Sequence, residues 1–158
     1  MHFVTVVVLG LALLSSAPSF AGALAPAKAS DLVVAATSNS APDCPITGRA
    51  FDVRFLPDGT EEPFVIPPKH VLVITSVDFN LSTSPPQPDQ TATPVVALRT
   101  ALNSVPLLQG STFTDGNGNA SGTMVASAGV PVRPGPTLCI LGGDTPYAIL
   151  HGFFAKDK

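Results

Sequence analysis

From Ala50 onward, apolar residues recur at every second position in short runs, and proline or glycine cuts each run before it could complete a helical stripe. A period of two places alternate side chains on opposite faces of an extended chain, as a half-buried strand requires. The chain holds 17 prolines and 13 glycines in 158 residues. Proline has no N–H to give a sheet ladder, so these residues belong to turns and strand ends.

The first strand is read at Phe51, Val53 and Phe55, alternating with Asp52 and Arg54, and it ends at the turn formers Pro57-Asp58-Gly59. Phe64-Val65-Ile66 is the expected returning strand, closed by Pro67-Pro68. Val71 to Leu81 is the longest candidate. Its apolar odd positions are interrupted at Thr75, and its even positions pass from Leu72 and Ile74 to Ser76, Asp78 and Asn80. It should therefore start buried on both faces and finish with one face wet. Residues 82–93 form a proline-rich surface loop. Further strands are expected at Val95 to Leu102, Leu107 to Thr114, Thr123 to Ala128, Leu138 to Leu141 and Tyr147 to Ala155, the last apolar in both phases and hence central. A short helix within 97–108 is the alternative for that part. Seven or eight short strands without a helical stripe predict an all-β fold, an antiparallel β-sandwich of jelly-roll type.

The beginning of the chain has a different character. Phe3 to Leu14 is an apolar run broken by Thr5 and Gly10, too short for the roughly 20 residues of a membrane span. Small residues follow at Ser19-Phe20-Ala21, with a second candidate cut at Ala23. This is the pattern of a cleavable signal peptide over residues 1–21, although no Lys or Arg precedes the run; a retained anchor or a buried strand is the competing reading. Residues 22–43 are rich in Ala, Ser and Pro and read as a linker, and 44–158 as a single domain. The linker's one apolar stretch, Leu32 to Ala36, is expected to be disordered, to pair at an edge of its own domain, or to add to a neighbouring copy.

Removal of 21 of the 158 residues leaves 137, enough for one domain with its own core. Eight basic and 11 acidic side chains give a net charge of −3, which argues against a nucleic-acid surface. The charged fraction is 12% against a hydrophobic 45%, too apolar for a disordered chain. No second apolar run reaches membrane length, so a secreted or periplasmic product is expected. In such a compartment the two cysteines, Cys44 and Cys139, are expected to form a disulfide across 95 positions.

Candidate chemistry is sparse. Asp115-Gly116-Asn117-Gly118-Asn119 has oxygen side chains at alternate positions, like the opening of a calcium loop, with Asp115, Asn117 and Asn119 as the ligands. Ala120 and Ala126 then stand where that loop needs Gly and a bidentate Glu, so a hairpin turn is the better reading. His70 and His151 are the histidines outside the signal, too few for a His-rich metal centre, and His151 is expected to be packed and hydrogen-bonded. There is no Gly-x-Ser-x-Gly elbow. Asp52, Glu61, Glu62 and Asp78 read as solvated charges. A sugar-stacking surface has no Trp available and a single Tyr147. Two sequons, Asn80-Leu81-Ser82 and Asn119-Ala120-Ser121, are N-glycan acceptors in a host with that machinery.

The spacing of Ile66-Pro67-Pro68-Lys69-His70-Val71-Leu72-Val73-Ile74, then Gly129-Val130-Pro131-Val132-Arg133-Pro134-Gly135, then Leu150-His151-Gly152-Phe153-Phe154 resembles small exported β-sandwich proteins of bacteria. The resemblance covers roughly residues 63–155, implies the fold and an exported location, and transfers no functional residue. Together these readings predict a non-enzymatic exported module that binds or assembles with a protein or surface partner, a second copy of itself among the candidates. The alternative is a small-ligand or glycan binder, calcium-assisted, using the 82–93 loop and the 115–122 turn.

Overall fold

The computed structural model describes residues 25–38, 44, 48–100, 103–144 and 146–157; the signal read at 1–21 lies outside them. A 3-10 turn at Ala29–Asp31 leads into eleven strands. They are β1 (Leu32–Thr37), β2 (Arg49–Phe55), β3 (Glu61–Pro63), β4 (His70–Ser82), β5 (Thr91–Ala92), β6 (Val95–Arg99), β7 (Ser104–Gln109), β8 (Thr112–Phe113), β9 (Asn119–Val132), β10 (Thr137–Leu141) and β11 (Tyr147–Lys156). The described residues are all-β and every pairing among them is antiparallel.

Eight strands follow one path, β7-β6-β10-β2-β1-β11-β4-β9, with β3 added beside β2 and a separate two-stranded β5–β8 ribbon. The path curls until its ends, β7 and β9, lie alongside each other, so the sheet is a nearly closed barrel. Closure removes most of the free edge that an open sheet would expose. Leu72, Ile74, Val77, Leu150, Val96 and Ile140 fill the interior, each fully buried.

The phase change expected along β4 has a local cause. Thr75 is an extra residue against β11, whose His151 and Gly152 face Ser76 and Ile74 in succession, and its hydroxyl donates to the His151 carbonyl. Before this bulge the even positions Leu72 and Ile74 point inward, and after it the odd positions Val77, Phe79 and Leu81 do. An extra residue in one strand of a pair shifts its phase by one, as a β-bulge does. Val71 and Val73 form a second apolar patch with Phe153 and Ala155, so this half of β4 is buried on both faces as expected. Beyond Thr75 the outward residues are Ser76, Asp78 and Asn80.

Three expectations are corrected. Leu32–Thr37, assigned to the linker and at most to an edge, is an interior strand paired with β11 on one side and β2 on the other. Val33, Ala35, Ala36 and Thr37 are buried there, small enough for close strand packing. The returning strand expected at 64–66 forms instead at Glu61–Pro63, because the tight turn closed by Gly59 N–H to the Leu56 carbonyl sets the register early. The single strand expected at Leu107 to Thr114 is divided between β7 and β8. The strand expected from Val95 does form, as β6, and pairs antiparallel with β7 in place of the alternative helix.

Cys44 and Cys139 are joined in a disulfide, with 6.0 Å between their Cα atoms. Among the described residues no helix is long and apolar enough to cross a membrane.

Candidate functional site

The outward positions of β11, β4 and β9 beyond the bulge build three rungs of neighbouring side chains. The register aligns Tyr147 with Asn80 and Ser121, Ile149 with Asp78 and Thr123, and His151 with Ser76 and Val125. The Thr123 hydroxyl donates to Asp78 Oδ1 at 2.5 Å, and His151 Nε2 lies 3.0 Å from Asp78 Oδ2. The Thr123 hydrogen bond, opposed by burial and helped by His151, holds the Asp78 carboxyl below its ordinary range. The side chains of Asp78 and His151 are 49% and 40% exposed, so water screens the pair.

The carboxylate is the hub of this chain of contacts. In a serine- or threonine-hydrolase arrangement the imidazole stands between acid and hydroxyl. Here Thr123 donates to the carboxylate, and the arrangement leaves the hydroxyl without a base. It orients polar groups for hydrogen bonding on an open face.

A second cluster stands at the end of the barrel where β4 finishes and β9 and β11 begin. Thr114, buried, locks the proline-rich loop: its N–H donates to the Gln90 carbonyl, its hydroxyl donates to the Gln87 carbonyl, and its carbonyl accepts from Asp89 N–H. Gly118 has φ +76°, and a Cβ there would strike the Thr83 hydroxyl and the Pro86–Gln87 backbone, so this glycine lets the turn nest under the loop. Asp144 accepts from Ser84 N–H and tethers the same loop from the other side. On this braced scaffold Phe113 is 72% exposed.

The candidate cation ligands sit in that end. Asp115 Oδ1 accepts from the N–H groups of Asn117 and Asn119, while Gly118 N–H donates to the Asp115 carbonyl. Those backbone donors, Asn119 first, hold the Asp115 carboxyl low. Among the described residues no group of three or more His, Cys, Asp or Glu is placed to hold a metal ion.

The remaining polar residues do not converge. His70 lies at the opposite end of β4, its Nδ1 3.0 Å from the Pro68 carbonyl. His151 is on the outer face, and Asp115 and Asp144 are at the loop end. Three residues read as solvated charges have partners: Asp52 accepts from Ser38 N–H and hydroxyl, Glu62 pairs with Arg54 at 3.0 Å, and Asp78 joins Thr123 and His151. Arg54 also donates to the carbonyls of Ser30 and Leu32 and lies 5.0 Å from the centre of the Phe154 ring, so it clasps the entry to β1. The Asp78 cluster was missed in sequence because His151 lies 73 positions away. The polar even positions of β4 were its one visible trace.

Compared with known proteins, the chain matches no family model, and no curated protein or solved structure resembles it significantly. The comparisons thus bring no activity or site residue to the chain, and its own geometry is the basis for a functional reading.

Proposed function

We propose that the chain is an exported, non-enzymatic module that binds or assembles with a protein or surface partner, delivered by the signal at 1–21 and working in a secreted or periplasmic setting. The observation that carries this reading is the loop end, where Phe113, in the short strand β8, stands 72% exposed beside loops braced by Thr114, Gly118 and Asp144. Exposed aromatics on rigid loops bind at low entropic cost and serve as anchors of interfaces. The disulfide fits an oxidising compartment.

The test places a photocrosslinking amino acid beside Phe113 in the full-length protein in its producing cells, with fractionation to locate the product. A discrete adduct outside the cytosol, abolished by Phe113→Asp, is the expected result. A cytosolic product, or a strict monomer that gives no adduct, would overturn the reading.

A further inference from the structure

The outer face beyond Thr75 runs along the barrel wall up to the loop end, and it combines groups that a solvated sheet face has no need to combine. Tyr147 is 48% exposed, and Asn80 and Ser121 beside it are exposed as well. These three belong to one rung across three strands, with Asp78 and Thr123 in the next. Neighbouring strands lie about 4.8 Å apart, so an aromatic ring, an amide, a carboxylate and two hydroxyls share an area of a few strand widths. Among the described residues the side chains of Tyr147, Asn80 and Ser121 make no hydrogen bond, while Asp78 and Thr123 are oriented by their bond to each other.

We propose that Tyr147, Asn80 and Ser121, backed by Asp78 and Thr123, form a binding platform for a neutral saccharide. A pyranose ring offers an apolar C–H face and a rim of hydroxyls. The exposed Tyr147 ring suits the first, and its own hydroxyl adds a polar tip. Asn80 supplies two donors and an acceptor to the rim, and Ser121 a hydroxyl that both donates and accepts. Charge selects the class of sugar. The ionisable groups of these rungs other than the Tyr147 phenol are Asp78 and His151, which face each other, and no Lys or Arg is present in them. An acidic sugar would meet the Asp78 carboxylate, whereas a neutral one meets an acceptor for its hydroxyls. The face is open rather than a pocket, which suits the side of a glycan chain and an affinity of about 1 mM. This site uses side chains of the barrel wall and none of the loop-end partner surface around Phe113.

The protein carries its own reporter. Tyr147 is the single tyrosine and there is no tryptophan, so tyrosine emission comes from the proposed platform alone. The full mature protein, prepared in a host without N-glycosylation so that Asn80 and Asn119 stay bare, is titrated with neutral oligomers of glucose, mannose, galactose and N-acetylglucosamine while acrylamide quenching of Tyr147 is followed. Retention on the matching insoluble polysaccharides is measured in parallel. The expected result is saturable protection of Tyr147 by at least one oligomer. Retention should be lost in Tyr147→Ala and weakened about tenfold in Asn80→Leu, with an unchanged melting transition in both. Phe113→Asp should retain the saccharide while losing the loop-end adduct, which separates the two readings. No protection by any probe at about 10 mM, ten times the expected dissociation constant, would overturn the proposal. So would retention that survives both face substitutions, or stronger binding of a uronic-acid oligomer.

Discussion

Asp78 draws its low pKa first from the Thr123 hydroxyl and only then from His151. Thr123→Val keeps the side-chain shape but removes that donor, and should raise the Asp78 pKa toward the ordinary carboxylate value near 3.9. Carboxyl NMR titration of the two proteins measures this directly; an unshifted Asp78 would show that His151 dominates. The sign for stability follows. The folded-state pKa lies below the unfolded one, so the stabilisation is complete above the unfolded value and disappears as pH falls through the folded value. Thr123→Val should thus leave the protein more nearly insensitive to mild acid, by a small amount because the side chain is half exposed. Gly152 acts through sterics instead. A Cβ there would strike the Val73 carbonyl beside the Thr75 bulge. Gly152→Ala should cost about 1–3 kcal/mol in urea unfolding, as overpacking against backbone does. Loss of less than the lower figure would mean that the bulge can relax.

At the scale of the strand, β1 separates what sequence reveals from what it hides. Val33 is 1% exposed and faces the core, while its neighbour Leu32 is 53% exposed. Val33→Asp would bury an unpaired carboxylate and should prevent folding, whereas Leu32→Asp should fold with a nearly unchanged melting transition. Failure of both variants would place the strand in another phase. Composition hid this strand because its residues are Leu, Val and Ala within an Ala/Ser/Pro-rich segment, and its partners in β11 lie more than 110 positions away. The β4 pattern was legible down to its change of character, since the polar Ser76, Asp78 and Asn80 are local facts. The bulge that produces it was visible as a lone polar Thr75 among apolar odd positions. Strand β3 formed earlier than read because turn hydrogen bonding, rather than the apolar Phe64-Val65-Ile66 run, sets the register. The turn at Asp115–Asn119 was legible for the opposite reason: its Asp and Gly residues act within five positions of chain.

For the whole molecule, alternation and turns determine that the chain is all-β, but strand order rests on contacts between distant residues, which no local pattern encodes. That is why β10 between β6 and β2, and the approach of β7 to β9, emerge only in three dimensions. The disulfide is the long-range contact that the sequence did announce, through an even cysteine count. It fastens Cys44, on the connection between β1 and β2, to Cys139, buried inside β10. Bridging residues 95 apart restricts the unfolded chain, by roughly 4–5 kcal/mol in the chain-entropy model. Replacing both cysteines with alanine should lower the unfolding free energy by about 2–5 kcal/mol. The urea m-value should rise at the same time, because an unlinked unfolded chain exposes more surface. An unchanged midpoint and slope would mean that barrel packing, rather than the bridge, constrains this region. Single variants separate the two partners. In Cys44→Ala the remaining Cys139 thiol, 1% exposed, should react with a thiol reagent only on unfolding, whereas in Cys139→Ala the less buried Cys44 should react in the native protein. Equal reactivity in the two native proteins would show that β10 depends on the bridge to keep its place between β6 and β2.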